Sequence, residues 1–461
     1  MNSMFSSTIA AVSTPRGRGG IAVIRISGDD AISVADKFVR GRVPLADAEV
    51  RRANMYKIVD GEGNVLDEAL VTVFRAPNSY TGEDTVEISC HGSDVLCAEI
   101  LELAFSFGAV PAGPGEFTRR AFSAGKLTLT EAESVIELID AKSRAALALS
   151  RKNLDGALSD ETDAIYKKLR TALGSVYAGI DFPDEDLETL DDSGMAQEIT
   201  DAISMLSRLV SSYKTGHAVI EGVPTVICGK PNVGKSTMLN TLLMRERAIV
   251  TDIPGTTRDV VSETAVIGDV LLSIRDTAGI RESGDEIERI GILKSVGQIE
   301  ECELVVGMFD ASRPCDGDDE RVISLLCDAK ESGRDVIAVL NKCDLPQKFD
   351  EARLSSLGGA VHIVASDKSS RDVISKKIGE IFFAGGASSL DGAIVTNARQ
   401  HASVTRSLNL CKSALSALKT LGADIAGSEI ERAMAELSEM DGRQVGIDVV
   451  NEIFGKFCVG K

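Results

Sequence analysis

Four stretches of different hydrophobic period follow one another along the chain. From Ser7 to about Gly115, short apolar runs with strand character (IAVIRI, ALVTVF, TVEISC) alternate with Gly and Pro punctuation, which predicts an α+β domain. From about Thr130 the spacing becomes helical: Ile165, Leu169, Leu173, Val176 and Ile180 step by four, four, three and four along one face. Between Gly216 and about Phe383 strand and helix patterns alternate again. The runs VPTVIC, LLSI, ELVVGMF, DVIAVL and VHIVA are each short and apolar on both faces, which suits a buried parallel sheet. After AGGASSLDGA the helical spacing resumes with Val404, Leu408, Cys411, Leu415 and Leu418, and later with Ile447, Val450, Phe454 and Phe457.

The α/β unit therefore reads as an insertion into a helical domain. The expected fold class is multidomain α/β and α+β. Residues 1–120 form an N-terminal α+β domain, 121–215 the first part of a discontinuous helical domain, 216–383 the inserted α/β domain, and 384–461 the second helical part. There is no self-similarity at solenoid-like periods and no low-complexity tract.

Composition sharpens this picture. A length of 461 residues exceeds one ordinary domain, and 44% apolar with 26% charged residues predicts large buried cores. The formal charge of -20 opposes nonspecific capture of nucleic acid or anionic lipid, so any RNA contact must be local or shared with a partner. The opening MNSMFSSTIAAV lacks a basic segment followed by a long apolar core, and no long apolar run follows. These features predict a cytoplasmic protein with no stable membrane insertion. Nine Cys without a CxxC pair, and four His, fit neither a disulfide framework nor a zinc site. The Val-Gly-Lys after Cys458 does not suit prenylation.

The chemistry is concentrated in the α/β segment. Gly229-Lys230-Pro231-Asn232-Val233-Gly234-Lys235-Ser236 fits GxxxxGK[ST], directly after an apolar strand and before the helical run that starts at Thr237. Glycines let backbone N–H groups curl around phosphates, and the helix N-terminus adds positive potential. Lys235 reaches the outer phosphates, and Ser236 offers its hydroxyl to Mg²⁺. In Thr251-Asp252-Ile253-Pro254-Gly255-Thr256-Thr257, Thr257 is placed to close over the metal and terminal phosphate, and Asp276-Thr277-Ala278-Gly279 supplies a carboxylate and an amide beside them. These are the two expected switch regions of a Ras-like P-loop GTPase.

Base recognition is expected at Asn341-Lys342-Cys343-Asp344. The Asp344 carboxylate accepts from N1–H and N2–H₂ of guanine, a donor pair that adenine lacks, which opposes a plain ATPase. The fifth motif is placed at Val364-Ala365-Ser366, without the usual Ser-Ala and basic residue. The residue after Asp276-Thr277-Ala278-Gly279 is Ile280, which cannot orient water as a Gln does. Another group must do so; Glu282, Asp285, Glu286 and Glu288 stand nearby, against a solvated acidic loop as the alternative. Arg258, Arg275 and Arg281 lie in the switches, and the sequence alone does not aim them.

Taken together, TPRGRGGIAVIRISG (Thr14 to Gly28), PNSYTGEDTVEISCHG (Pro77 to Gly92), GPGEFTRRAFSAGKLTLTEAE (Gly113 to Glu133), the nucleotide motifs and FCVGK (Phe457 to Lys461) resemble the tRNA uridine 5-carboxymethylaminomethyl modification GTPases over the full chain. That resemblance implies an N-terminal tetrahydrofolate-binding and dimerisation domain, a helical domain and an inserted G domain. It implies binding of a 5-formyl- or methylene-tetrahydrofolate at Arg25, Glu83, Lys126 and Lys461. Without the family, Arg25 reads equally as a strand-edge charge, Glu83 as a turn residue and Lys126 as a surface cation.

The same resemblance implies catalytic roles for Lys235, Thr257 and Glu288, with Glu288 orienting water. It implies Mg²⁺ on Ser236 and Thr257, and K⁺ in the role of an arginine finger on Asn232, Thr251, Ile253 and Thr256, Ile253 through its carbonyl. It implies a homodimer joined by an FAD-dependent partner as a heterotetramer, acting on tRNA. Cys458 and His91 read as structural rather than catalytic residues. The expected function is GTP-driven addition of an aminomethyl-type group at C5 of wobble uridine. The rival is a ribosome-assembly or regulatory GTPase switch carrying a folate-binding module.

Overall fold

The computed structural model describes residues 7–181, 190–243, 263–274, 302–383 and 392–461. They fall into two compact units, residues 1–136 with 438–461, and residues 137–437.

The first unit is built on a seven-stranded sheet: β1 (Ile9–Val12), β2 (Ala22–Ser27), β3 (Val39–Arg40), β4 (Asn54–Val59), β5 (Val65–Phe74), β6 (Thr85–Cys90) and β7 (Val110–Pro111), in the order β3-β4-β5-β6-β2-β1-β7. Every neighbouring pair is antiparallel except β1 with β7. Period-two alternation sorts the side chains. Ile24, Ile88 and Val71 stand in one cross-strand row, as do Ile26, Val86 and Val73, and all six are buried. The helices Ala31–Ala35 and Asp94–Ser106 contribute Ala35, Ile100 and Ala104 to the same core. The intervening row, Arg25, Glu87 and Thr72, therefore faces the other side.

On that other side Phe117, from helix Glu116–Ser123, packs with Ile9, Ala11 and Ala112. Residues after helix Ile447–Gly455 return to this region. Val459 bridges Pro114, the Gly115 N–H donates to the Cys458 carbonyl (3.3 Å), and the Phe117 N–H donates to the Lys461 carbonyl (3.1 Å). Gly460 has φ 99°, and a Cβ there would lie 2.0 Å from the Val12 carbonyl oxygen, so the segment threads against β1 as only glycine permits. Leu129, Ala132, Val450, Ile453, Phe454 and Phe457 form the adjoining cluster. Ile447 departs from its expected face and is 68% exposed, and Phe457 is buried but lies beyond the helix end.

The second unit carries a six-stranded sheet: β8 (Val223–Gly229), β9 (Glu263–Ile267), β10 (Val270–Ile274), β11 (Leu304–Asp310), β12 (Asp335–Asn341) and β13 (Ala360–His362), in the order β13-β12-β11-β8-β10-β9. It is parallel apart from β9, which pairs antiparallel with β10 at the edge. The run VHIVA gives only its first residues to a strand, because the chain leaves the sheet after His362.

Helix Asp192–Ile220 packs between helices Ala157–Asp181 and Ala398–Thr420 and continues into β8 after Gly222. Asp191 caps it by accepting from the Gly194 N–H (2.7 Å). Of the expected helical faces, Ile165, Leu169, Leu173, Val176, Val404, Leu408, Cys411 and Leu418 are buried. Ile180 is exposed and Leu415 half-buried, the first because it stands in the final turn of its helix. Among the described residues no helix is long and apolar enough to cross a membrane.

Candidate functional sites

The phosphate loop leaves β8 at Gly229 (φ 147°), where a Cβ would lie 2.5 Å from the Met308 carbonyl oxygen. Positive φ recurs at Asn232 (63°) and Gly234 (101°), and helix Lys235–Leu243 begins immediately afterwards. Such a turn directs successive backbone N–H groups toward one point, where the helix N-terminus adds its partial positive charge. The Lys235 ammonium donates to the Gly229 and Lys230 carbonyls, each at 2.8 Å. Ser236 and Thr237 stand exposed in the first turn, and Val233 is buried beneath the loop.

Asn341, at the end of β12 and 3% exposed, joins two of the motifs. Its Nδ2 donates to the Val233 carbonyl (2.6 Å) and its Oδ1 accepts from the Ala365 N–H (2.8 Å). A Cβ on Gly234 would lie 2.3 Å from that same Nδ2, so glycine is needed there for the close approach. Thr241 Oγ1 donates to the Ala365 carbonyl (2.6 Å), which ties the Val364-Ala365-Ser366 segment to the helix after the phosphate loop. Val364 is half-buried, Ala365 buried and Ser366 exposed.

Lys342 has φ 65°; its ammonium donates to the Asn232 carbonyl (2.9 Å) and to Asp310 Oδ2 (2.7 Å). Burial alone would raise the Asp310 pKa, but the Lys342 and Ser312 hydrogen bonds hold it below the ordinary carboxylate range. The Asp344 side chain is exposed beside this bracket. Asp310 was not singled out from sequence. The available signal was its place at the carboxyl end of a buried parallel strand, the edge where such sheets bind ligands. Thr251, Asp252, Ile253, Pro254, Gly255, Thr256, Thr257, Asp276, Thr277, Ala278, Gly279 and Glu288 lie outside the described residues, as do Arg258, Arg275, Ile280, Arg281, Glu282, Asp285 and Glu286.

A second polar array stands in the first unit. The Arg25 guanidinium, on the face opposite the core, forms two bonds to Glu87 Oε1 (3.0 and 2.8 Å) and lies 5.2 Å from the Tyr80 ring centre and 5.4 Å from that of Phe117. Its ion-pair partner is thus Glu87, the cross-strand neighbour fixed by register. Glu83 accepts from Ser27 Oγ (2.8 Å) and, at both oxygens, from Arg120 Nη1 (3.1 Å each). Arg120 also donates to Glu116 (2.8 Å) and to the Ser7 carbonyl (2.9 Å). Burial pushes the Tyr80 hydroxyl above its usual pKa, and that hydroxyl pairs with Thr118 Oγ1 at 2.9 Å.

The Lys126 ammonium donates to the Pro77 carbonyl (3.0 Å) and to that of Ser79, holding the loop that carries Glu83. Gly82 (φ 83°) passes close to Ala124 and the Lys126 stem. Lys461 is half-buried, and its contact described above is through the backbone. His91 is exposed and pairs with Asp67 (Nδ1 to Oδ1, 2.7 Å), while Cys458 is exposed.

With this geometry in place, comparison with known proteins adds two family models. One, described as GTP-binding protein TrmE N-terminus, matches residues 8–126; the other, the MnmE helical domain, matches residues 129–458. A tRNA modification GTPase MnmE of Lactococcus lactis subsp. lactis is 39% identical over 458 residues, covering 98% of both chains. Its counterparts in Carboxydothermus hydrogenoformans (38% over 469 residues, 99% of this chain and 100% of that one) and Acetivibrio thermocellus (39% over 459 residues, 98% and 99%) are as similar. Among solved structures, the FeoB G-domain of Methanococcus jannaschii aligns at 24% identity with a TM-score of 0.25, over 35% of this chain and 98% of its own. That overlay is too loose to bear on the site.

Proposed function

The chain belongs to the MnmE family of tRNA modification GTPases, and from that premise we propose that it uses GTP turnover to drive the addition of an aminomethyl or carboxymethylaminomethyl group at C5 of wobble uridine. It is a GTP hydrolase that binds GTP and GDP with Mg²⁺. The observation that carries the nucleotide half is Asn341, whose two amide atoms bracket the phosphate loop and the Ala365 segment. Asn232, Val233, Gly234, Lys235, Ser236 and Thr237 would contact phosphates and Ser236, with Thr257, the Mg²⁺. Asn341, Lys342 and Asp344 would face the base, with Val364, Ala365 and Ser366 beside them.

Hydrolysis requires positive charge where the phosphoryl oxygens gain negative charge. Lys235 and the loop amides supply part of it. The remainder fits a K⁺ ion on the exposed Asn232 with Thr251, Ile253 and Thr256, and Glu288 would orient the attacking water. Thr251, Asp252, Ile253, Pro254, Gly255, Thr256 and Thr257, with Asp276, Thr277, Ala278 and Gly279, complete the proposed switches.

The array on the sheet of the first unit fits a tetrahydrofolate. A pterin offers a flat face and an edge of alternating donors and acceptors, which suit the exposed Tyr80 ring and the Arg25 and Glu83 charges. Lys126 and Lys461 would complete the contacts, and bound folate would supply the one-carbon unit. Nothing in the phosphate loop is suited to attack a pyrimidine, so the carbon chemistry belongs away from the GTP site. The formal charge of -20 favours sharing the tRNA with an FAD-dependent partner, in a heterotetramer built on a homodimer in the cytoplasm.

The test is mass-spectrometric nucleoside analysis of tRNA from cells lacking the protein, complemented with the intact or the Lys461-deleted chain. Loss of the C5-modified uridine, rescued only by the intact chain, is expected. Unchanged modification in the null strain, with no second copy of the gene, would replace this reading by a GTP switch with a folate module.

A further inference from the structure

We propose that Lys230 is a positioning residue for nucleotide binding: it ties the phosphate loop to the start of helix Gly317–Glu331 and screens the bound phosphates from two carboxylates there. This rests on the nucleotide reading given above. Lys230 occupies the second position of the loop, and its ammonium donates to Asp316 Oδ2 and Asp319 Oδ2, each at 2.7 Å. The Lys230 side chain is 15% exposed and that of Asp319 3%. A mobile surface lysine would be neither so enclosed nor so evenly divided between two partners.

Its partners are themselves fixed. Asp316 caps the helix, accepting from the Asp318 and Asp319 N–H groups, and Asp319 Oδ2 accepts in return from the Asp316 N–H (3.1 Å). Burial disfavours the Lys230 charge, yet the two carboxylates raise its pKa above the ordinary lysine value. The backbone of Lys230 serves the site directly, because its carbonyl is one of the two that receive the Lys235 ammonium. Anchoring Lys230 therefore places a backbone group that touches the phosphate-binding lysine.

The electrostatics point the same way. Asp316, Asp318, Asp319 and Glu320 crowd the first turn of the helix. Arg321 pairs with Asp318, and Arg353 pairs with Glu320. Lys230 offsets half the charge of the pair it bridges, Asp316 and Asp319. Its removal would leave Asp316 and the buried Asp319 without their shared cation, beside a loop that receives a polyanion.

The measurement is stopped-flow release of a fluorescent GDP analogue from the full-length chain, with inosine diphosphate competition as a second readout. Lys230→Gln should release GDP about tenfold faster, the scale of one charge-assisted contact, and Lys230→Arg should stay within about threefold of the parent. The preference for GDP over inosine diphosphate should persist, because it reports the base end at Asp344. Unchanged release in Lys230→Gln overturns the proposal, as does failure of Lys230→Arg to restore slow release. A collapse of the base preference would mark general damage to the domain and also overturn it. If the parent chain itself does not bind GDP, the nucleotide reading fails instead.

Discussion

Arg120, 1% exposed at its side chain, holds Glu83 through contacts of 3.1 Å to each carboxylate oxygen. The carboxylate expected to meet folate is thus held from behind by a cation buried inside the first unit. Removing one member of such a pair leaves the other buried and uncompensated. Arg120→Met is expected to destabilise the protein by about 3 to 5 kcal/mol, read as a fall in the first unit's urea midpoint, and to abolish folate binding while GDP affinity is retained.

Asp344→Asn should weaken GTP and GDP binding by roughly 10²-fold, since the amide presents an N–H₂ to the guanine donors. Xanthine nucleotides, which carry a carbonyl at C2, should bind the variant better than the parent. Equilibrium titration with both nucleotide pairs decides this. Folate binding should not change.

His217 gives a pH prediction with a definite sign. Its two ring nitrogens lie 3.0 Å from Glu221 and from Glu303, and these carboxylates push its pKa up to about 9 from 6.5. The Tyr213 ring lies tilted beside it, 5.4 Å between centres, and stacks on His401 at 4.2 Å. Because the folded-state pKa is raised, the stabilisation is complete below about pH 6.5 and is lost as pH rises through about 9. The stability gap between the parent and His217→Gln should be about 3 kcal/mol at pH 6 and close to nothing at pH 10, measured by denaturant titration.

Sequence made some of these relationships legible and hid others. The strand character of IAVIRI is legible in the sequence, and in the structure its period-two spacing buries Ile24 and Ile26 and leaves Arg25 half-buried on the other face. Asn341 is readable because its motif occupies four consecutive residues. Its bond to the Ala365 N–H joins positions 24 apart, which no local pattern encodes. Arg120 escaped notice because a charged residue in a short helix reads as solvent-facing, and the reason for its burial, Glu83, stands 37 positions earlier. Strand β9 is absent from the expected strands although Thr264, Val266 and Ile267 have strand character; it is only five residues long and lies at the sheet edge.

Deleting Lys461 should impair folate binding and leave GDP release unchanged, since the Phe117 N–H loses its acceptor in the first unit only. Calorimetric folate titration beside the GDP-release assay tests the separation. If both defects always appear together, the two sites are not independent.

Replacing K⁺ by Na⁺ at equal ionic strength should slow GTP hydrolysis by at least about tenfold, with nucleotide affinity little altered. An unchanged single-turnover rate would remove K⁺ from the proposed site while leaving the hydrolase activity in place.

The Gly460 backbone rests against Val12, close enough that a single methyl group would collide with it. Those two residues are about 450 positions apart, so during synthesis at ~5–20 residues per second the opening strand waits roughly 20 to 90 s for its neighbour. The second unit has emerged in full by then. The unit that holds Val12 is therefore completed only when residues 438–461 have been made, after the whole second unit, and until then Val12 and the Phe117 N–H lack the contacts that this closing segment supplies.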